Sequence, residues 1–272
     1  MILSLELDNL VYVINYDEPL DISIPLRFNG AQPNAYDVKF AASKPCQAGT
    51  LIGDTRRGGS CNFEKYVIIP HCNGTHTECA GHITRERISI QQSLKDCFIP
   101  STLVSIEPEN ALDSSETYAV NYADEDKLIT RNSLEIALKN SNENFLEGLI
   151  IRTLLNDESK KRRAYMNNPP PFFSTEAMRF IAGKSVKHLL VDMPSIDRAF
   201  DDGKLSNHRI FWNIGQGAFE LNAASYPYKT VTEMIYAPDE IRDGAYLLNL
   251  QIAPFVADAS PSRPILFKIN EN

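Results

Sequence analysis

The segment His71–His82, HCNGTHTECAGH, restricts this chain more than any other feature of its sequence. It contains three histidines, two cysteines and one glutamate within twelve residues. Neutral imidazole, thiolate and carboxylate are the side chains that bind transition-metal ions in proteins. A polar edge strand would explain any one of these histidines, but so many candidate ligands in one segment favour a metal site.

The even-numbered positions of this segment carry most of the candidate ligands. Alternate side chains of an extended strand point to the same face of a sheet. If the segment is a strand, one face presents Cys72, His76, Glu78 and His82. His71 then points to the other face, although Gly74, which has no Cβ, would permit a bulge that redirects its neighbours. We therefore predict that Cys72, rather than His71, faces the metal site.

The sequence NGTHTECAGH also resembles the signature of the cyclase family of metal-dependent hydrolases, which includes bacterial kynurenine formamidases and isatin hydrolases. That signature reads His-x-Gly-Thr-His-x-Asp-x-Pro-x-His, and this chain matches it at Gly74, Thr75, His76 and His82. Cysteine replaces the first histidine, glutamate the aspartate and alanine the proline, at Cys72, Glu78 and Ala80. His71 lies one residue early and could replace the first histidine only if the backbone bulges.

Three further segments resemble the same family: DISIPL from Asp21, VDMPSIDRAF from Val191 and ADASPSRPIL from Ala257. Many short strand patterns and few helical ones indicate an α/β or α+β fold. The resemblance implies an α/β fold with a mixed, barrel-like β core and outer helices. No linker, repeat or low-complexity segment divides the chain, so we predict a single domain over residues 1–272.

The resemblance also implies that a distant histidine and a later glutamate complete the site. His208, in the segment SNHRI, follows the aspartate-containing loop as the family's histidine does. Glu220 fits the family's spacing from this histidine, whereas Glu233 fits better by its flanking sequence, which runs in register into ADASP. We prefer Glu233, because a loop is lengthened more easily than a ligand-bearing strand is moved.

By this resemblance, a water molecule activated by the metal attacks an amide or lactam carbonyl, and His82 transfers the proton. One or two divalent ions are implied, and their ligands would be Cys72, His76, Glu78, His208 and Glu233. A cysteine thiolate favours zinc, with manganese as the alternative. Cys72 could instead be a small buried residue, which would leave the first ligand position without a donor.

Three functions are compatible with these residues. The first is a metal-dependent amide hydrolase of the arylformamidase type, which would act on N-formylkynurenine in tryptophan catabolism. The second is a family member that has lost catalysis and acts as a binding or structural protein, because the signature departs at three positions. The third, a nucleophile at Cys79 or Cys72 assisted by His76, is weaker, because no oxyanion-hole pattern accompanies either cysteine. Substrate-binding residues are not assigned, since the pocket-lining segment FNGAQPNAYDV lacks the tryptophan often found there.

Composition restricts the partners and the compartment. A formal net charge of −8 argues against a nucleic-acid partner. No apolar run approaches the ~18–20 residues of a membrane span, and the first residues lack the basic region of a signal peptide. Five cysteines without such a signal predict free thiols in a reducing cytoplasm. We therefore expect a cytoplasmic protein with a small-molecule substrate, and the resemblance implies a homo-oligomer.

Overall fold

The computed structural model describes residues 2–271, which contain eighteen strands and five α-helices. The strands are β1 (Ile2–Leu7), β2 (Leu10–Asn15), β3 (Leu20–Asp21), β4 (Ala42–Pro45), β5 (Gln47–Ala48), β6 (Leu51–Ile52), β7 (Glu64–Val67), β8 (His76–Glu78), β9 (Phe98–Ile106), β10 (Glu109–Asn110), β11 (Lys127–Ile129), β12 (Gly148–Thr153), β13 (Phe172–Phe173), β14 (His188–Val191), β15 (Thr230–Glu233), β16 (Gly244–Asn249), β17 (Ala259–Pro261) and β18 (Ile265–Glu271).

The α-helices are short and lie between the strands. They are α1 (Pro70–Asn73), α2 (Ile90–Ser93), α3 (Arg131–Ala137), α4 (Thr175–Ala182) and α5 (Ser206–Trp212). Turns of 3₁₀ helix occupy Thr55–Arg57, Ala80–His82, Ala111–Asp113, Glu143–Phe145, Glu158–Arg162 and Tyr165–Asn167. None of the helices within residues 2–271 is long and apolar enough to cross a membrane.

One large sheet organises the fold. Its strands follow the order β1-β2-β18-β16-β9-β12-β14-β15-β8-β17, and β3 pairs with β18 beside this path. The central strands β9, β12, β14 and β15 are parallel, whereas the strands on either side of them are antiparallel. The mixed α/β class is therefore confirmed, in a sheet whose path begins at β1 and ends at β17.

Both faces of the central strands are buried, as is usual for parallel strands covered on two sides. In β12, Leu149 and Ile151 face a cluster that includes Met178 of α4 and Trp212 of α5. Ile150, between them, faces a second cluster on the opposite side of the sheet. Helix α5 is consequently fixed against the sheet by its own apolar residues, and this packing determines where His208 lies.

Candidate metal centre

Strand β8 places two of the predicted ligands on one face. It pairs antiparallel with β15 and β17, and its pairing with β15 sets His76 opposite Glu233. The Nε2 atom of His76 lies 3.4 Å from Oε2 of Glu233. Thr77 points to the other face, where its hydroxyl lies 2.8 Å from that of Thr232. The alternation predicted from the sequence therefore holds within β8, which brings His76 and Glu78 together.

Helix α5 brings His208 to the same cluster. Its buried imidazole places Nε2 2.8 Å from Oε1 of Glu78 and 3.6 Å from Oε1 of Glu233. On the far side of the ring, Oδ2 of Asp197 lies 2.5 Å from Nδ1. The same carboxylate accepts the backbone N–H groups of Asn207 and His208 at 2.7 and 3.2 Å. Asp197 thus fixes both the start of α5 and the orientation of the imidazole.

The segment before β8 is a helical turn, and this overturns the prediction that Cys72 rather than His71 faces the cluster. Pro70 begins α1, where its missing N–H costs no hydrogen bond, so the strand period does not extend back to Cys72. Nδ1 of His71 lies 2.9 Å from Oε2 of Glu78, and its ring centroid lies 5.1 Å from that of His76. Cys72 is buried, but it belongs to none of the donor groups within residues 2–271.

The two cysteines of the segment have thiols that resist ionisation. Burial, together with the negative charge of Glu233, raises the pKa of Cys72 to about 11. Burial also raises the pKa of Cys79, whose sulfur donates a hydrogen bond to the carbonyl of Ile88 at 3.4 Å. Because the thiolate is the reactive form of cysteine, these shifts disfavour a cysteine nucleophile at either position.

Two side chains at the more exposed edge complete the cluster. His82 lies in a 3₁₀ turn, with Nδ1 3.8 Å from Oε2 of Glu78, and its side chain is 27% exposed, compared with 1% for His76. Asp258, immediately before β17, places Oδ2 2.9 Å from Nε2 of His71 and 3.6 Å from Nδ1 of His82. Asp258 is not among the predicted site residues, although it lies within the segment ADASPSRPIL.

The donor atoms of this cluster are close enough to share an ion. Within residues 2–271, three overlapping groups have ligand atoms within 4.8 Å of one another: His71–His76–Glu78, His71–His82–Asp258 and Glu78–His82–His208. Glu233 lies beside these groups, as its contacts with His76 and His208 show. The residues predicted from the sequence therefore converge, with Cys72 as the exception.

Two atoms of the cluster have no hydrogen-bond partner. Nε2 of His76 and Oε2 of Glu78 are buried and make no hydrogen bond. Oε2 of Glu78 is only 2.9 Å from Nδ1 of His71, yet the angles between them are not those of a hydrogen bond. Buried polar atoms without partners cost about 1–3 kcal/mol each, and a cation between converging lone pairs would remove that cost. The residues thus fit a divalent metal ion.

The donor atoms found in the cluster do not distinguish zinc from manganese, whereas the ligand set predicted from the sequence favoured zinc. Imidazole and carboxylate bind zinc, and carboxylate-rich sites also bind manganese. The predicted preference for zinc rests on the thiolate of Cys72, which is not in the donor groups of the described residues. A divalent ion is therefore supported, and its identity is open between the two.

The charged groups of the cluster shift one another's pKa values. Burial raises the pKa of Glu78, but the charges of His82 and His208, the hydrogen bond with His208 and the close approach of His71 outweigh it and hold this pKa well below its usual range. Burial lowers the pKa of His208, but the charge of Glu78 and further carboxylate contacts raise it well above its ordinary value. Burial likewise lowers the pKa of His71, whereas the hydrogen bond with Asp258 and the nearby carboxylate of Glu78 raise it to about 10. Glu78 therefore stays ionised, and a bound cation would take the place of the protons on His71 and His208 as its partner.

Of the two candidate glutamates, Glu233 lies in the cluster and Glu220 does not. Glu220 is on the surface, where it forms an ion pair with Arg85 at 2.8 Å and its side chain is 64% exposed. Glu233 is buried, and its Oε1 accepts the backbone N–H of Ile196 at 3.0 Å. The preference for Glu233 agrees with this placement, because the register of β15 against β8 fixes its position.

Glu233→Gln is expected to weaken metal binding by about 10–100-fold or more, since even residues that only orient a ligand have effects of that size. Glu220→Gln makes the same chemical change on the surface and should leave the affinity unchanged. Competition with a chromophoric chelator measures both dissociation constants. Equal affinities for the two variants would show that Glu233 makes no contribution to the metal site.

Tyr36 is a residue that the sequence did not indicate, and the charge of Glu233 acts on its phenol. Its backbone φ of 58° lies in the left-handed region, which is unfavourable for an aromatic residue. Burial, and then the charge of Glu233, raise the pKa of Tyr36 to about 12, and a hydrogen bond with Ser195 opposes this increase. The residue as a whole is 42% exposed.

A family model described as "Putative cyclase" matches residues 18–198, which is more than half of the chain. The chain belongs to the cyclase family. The matched range includes the segment His71–His82 and Asp197, and it ends before His208. The resemblance carried by the GTH motif is therefore confirmed, and the placement of His208, Glu233 and Asp258 rests on the structure of this cyclase-family chain.

Solved structures share this fold at low sequence identity. A predicted metal-dependent hydrolase from Bacillus stearothermophilus has a TM-score of 0.59 at 16% identity, over 92% of this chain and 98% of that one. An isatin hydrolase bound to the product analogue thioisatinate has a TM-score of 0.62 at 13% identity, over 93% of both chains. Isatin hydrolase A from Labrenzia aggregata has a TM-score of 0.58 at 14% identity, over 92% of this chain and 93% of that one. At these identities the similarity shows the fold alone. Among curated proteins, none matches this sequence.

Proposed function

We propose that this cyclase-family protein is a metal-dependent hydrolase of an amide or lactam bond in a small molecule. The observation that carries the proposal is the buried donor cluster around Glu78, with two polar atoms that lack hydrogen-bond partners. Proteins of the same fold described as a metal-dependent hydrolase and as isatin hydrolases support it. Within this reaction type, the substrate would be either a lactam such as isatin or a formamide such as N-formylkynurenine, the substrate of an arylformamidase.

The buried part of the cluster would hold the ion or ions. The candidate ligands lie at short distances from one another, and they are His71, His76, Glu78, His208 and Glu233. All of them are buried except His71, whose side chain is 25% exposed. A divalent ion supplies two effects here when bound: it polarises the substrate carbonyl and increases the acidity of water. One oxygen of Glu78 contacts His71 and the other contacts His208. If two ions bind, Glu78 would therefore contribute to holding both.

His82 would transfer the proton. It is more exposed than His76, and its Nδ1 lies 3.6–3.8 Å from the carboxylates of Asp258 and Glu78, beyond hydrogen-bond distance. A neutral imidazole at this edge can accept the proton that the attacking water loses and deliver it to the leaving nitrogen.

The direct test combines metal content with turnover. The purified protein is dialysed against a chelator, resupplied with zinc or manganese, and assayed with isatin and with N-formylkynurenine. We expect hydrolysis of at least one compound, loss of activity with the chelator, and recovery with the metal. Tight metal binding without hydrolysis of either compound would contradict the proposal and favour a binding or structural role for this family member.

A further inference from the structure

Three histidines of the cluster share one arrangement. In each, the ring nitrogen that points away from Glu78 and Glu233 meets a fixed oxygen atom. Nδ1 of His76 lies 3.0 Å from the carbonyl of Gly74, and Nδ1 of His208 lies 2.5 Å from Oδ2 of Asp197. Nε2 of His71 lies 2.9 Å from Oδ2 of Asp258. An acceptor at one nitrogen keeps a proton there, so the other nitrogen, which faces the cluster, is the one that would bind an ion when its own proton leaves.

Asp258 is held in place by the sheet rather than by a surface contact. Its carbonyl accepts the backbone N–H of Cys79 at 3.0 Å. The next residue, Ala259, begins β17 and pairs with Glu78 across β8. Its other oxygen, Oδ1, forms one ion pair within the described residues, with Arg87 at 3.9 Å. The Arg87 side chain is 83% exposed. The strand pairing therefore fixes the carboxylate beside His71.

We propose that Asp258 is a positioning residue that holds His71 as a metal donor. The inference rests on the proposed function only in assuming that an ion occupies the cluster. His71 precedes by one residue the position where the family signature has its first histidine, and Cys72 takes that position. In helix α1 the His71 ring reaches the cluster, and the Asp258 carboxylate orients Nδ1 toward Glu78 and increases its basicity. His71 thus takes the place of the first histidine of the signature. Asp258, which is distant in sequence and immediately precedes β17, holds its ring.

An alternative arrangement makes Asp258 a ligand itself. His71, His82 and Asp258 also have donor atoms within 4.8 Å of one another. Nε2 of His71 cannot at the same time donate a proton to Asp258 and bind an ion beside it. The two arrangements therefore predict different metal affinities for a variant that lacks both the His71 and the Asp258 side chains.

The experiment measures dissociation constants for Zn²⁺ and Co²⁺ by competition with a chromophoric chelator. Asp258→Ala is expected to weaken binding by about 10–100-fold, as for other residues that orient a metal-bound histidine. Asp258→Asn should retain most of the affinity, because the amide oxygen can still accept the proton of Nε2. In a His71→Ala background, Asp258→Ala should cause no further loss, because Asp258 acts through His71. Arg87→Gln serves as the control and should leave binding unchanged.

Each other outcome has a definite meaning. Wild-type affinity in Asp258→Ala overturns the proposal, and so does a further loss in the His71→Ala background, which would make Asp258 an independent ligand. The visible spectrum of the Co²⁺-loaded protein should change in Asp258→Ala, since His71 is no longer held, and thermal unfolding of each variant without metal confirms that it folds. Metal binding by the wild type without hydrolysis would contradict only the proposed function. A wild type that binds neither ion overturns both proposals.

Discussion

Glu78→Gln is expected to remove bound metal and hydrolysis together. The two oxygens of Glu78 lie 2.8 Å from Nε2 of His208 and 2.9 Å from Nδ1 of His71, and Glu78 belongs to two of the three donor groups in the described residues. Glutamine keeps the shape but replaces one oxygen by an NH₂ group, which cannot bind a cation. The loss of affinity should exceed the ~10–100-fold of residues that only orient ligands.

Metal content per chain, measured after gel filtration, tests this prediction. Glu78→Asp is the matched control, because it keeps the carboxylate and restores the residue found in the family signature. It should retain measurable metal binding, although its shorter side chain reaches His71 and His208 less well. If Glu78→Gln binds metal as tightly as the wild type, the cluster is a buried network of ion pairs in which Glu78 is not a ligand.

The sequence predicted the part of the site that lies within one strand. The alternation of side chains placed His76 and Glu78 on the same face, and β8 has that arrangement. The same argument failed for Cys72, because it requires the strand to extend four residues further back than it does. Pro70 is the local signal against that extension, since proline favours the first position of a helix and cannot donate to a strand ladder. A helical turn offsets the faces by about 100° per residue, which brings His71 inward instead.

Residues supplied by distant strands were predictable only where the family resemblance marked them. Glu233 was preferred because its flanking sequence matched, and its pairing with β8 agrees with that choice. Asp258 lies within ADASPSRPIL, a segment that resembles the family. Nothing in its spacing reveals that β17 pairs with β8, about 180 positions earlier in the chain. Tyr36 has a left-handed backbone conformation, which propensities do not predict for tyrosine. Short-range patterns indicated an α/β or α+β fold and the resemblance implied the mixed sheet, whereas these contacts depend on tertiary pairing.

His82→Asn is expected to lower kcat/KM by about 10²–10⁴-fold while metal binding is preserved. The size of the effect is that of general acid–base catalysis by a positioned side chain. His82 is 27% exposed, and no contact between its Nδ1 and a cluster carboxylate is shorter than 3.6 Å in the described residues, whereas His76 is buried against Glu233. Removing His82 therefore leaves the buried donors in place, and asparagine preserves polarity without an imidazole that can exchange protons near neutral pH.

The comparison with His76→Ala separates the role of a ligand from that of a proton carrier. His76→Ala removes a buried donor whose Nε2 has no hydrogen-bond partner, so both metal content and turnover should fall. In His82→Asn, turnover should fall at full metal content. If His82→Asn loses its metal as His76→Ala does, His82 is a ligand through the group that it forms with Glu78 and His208.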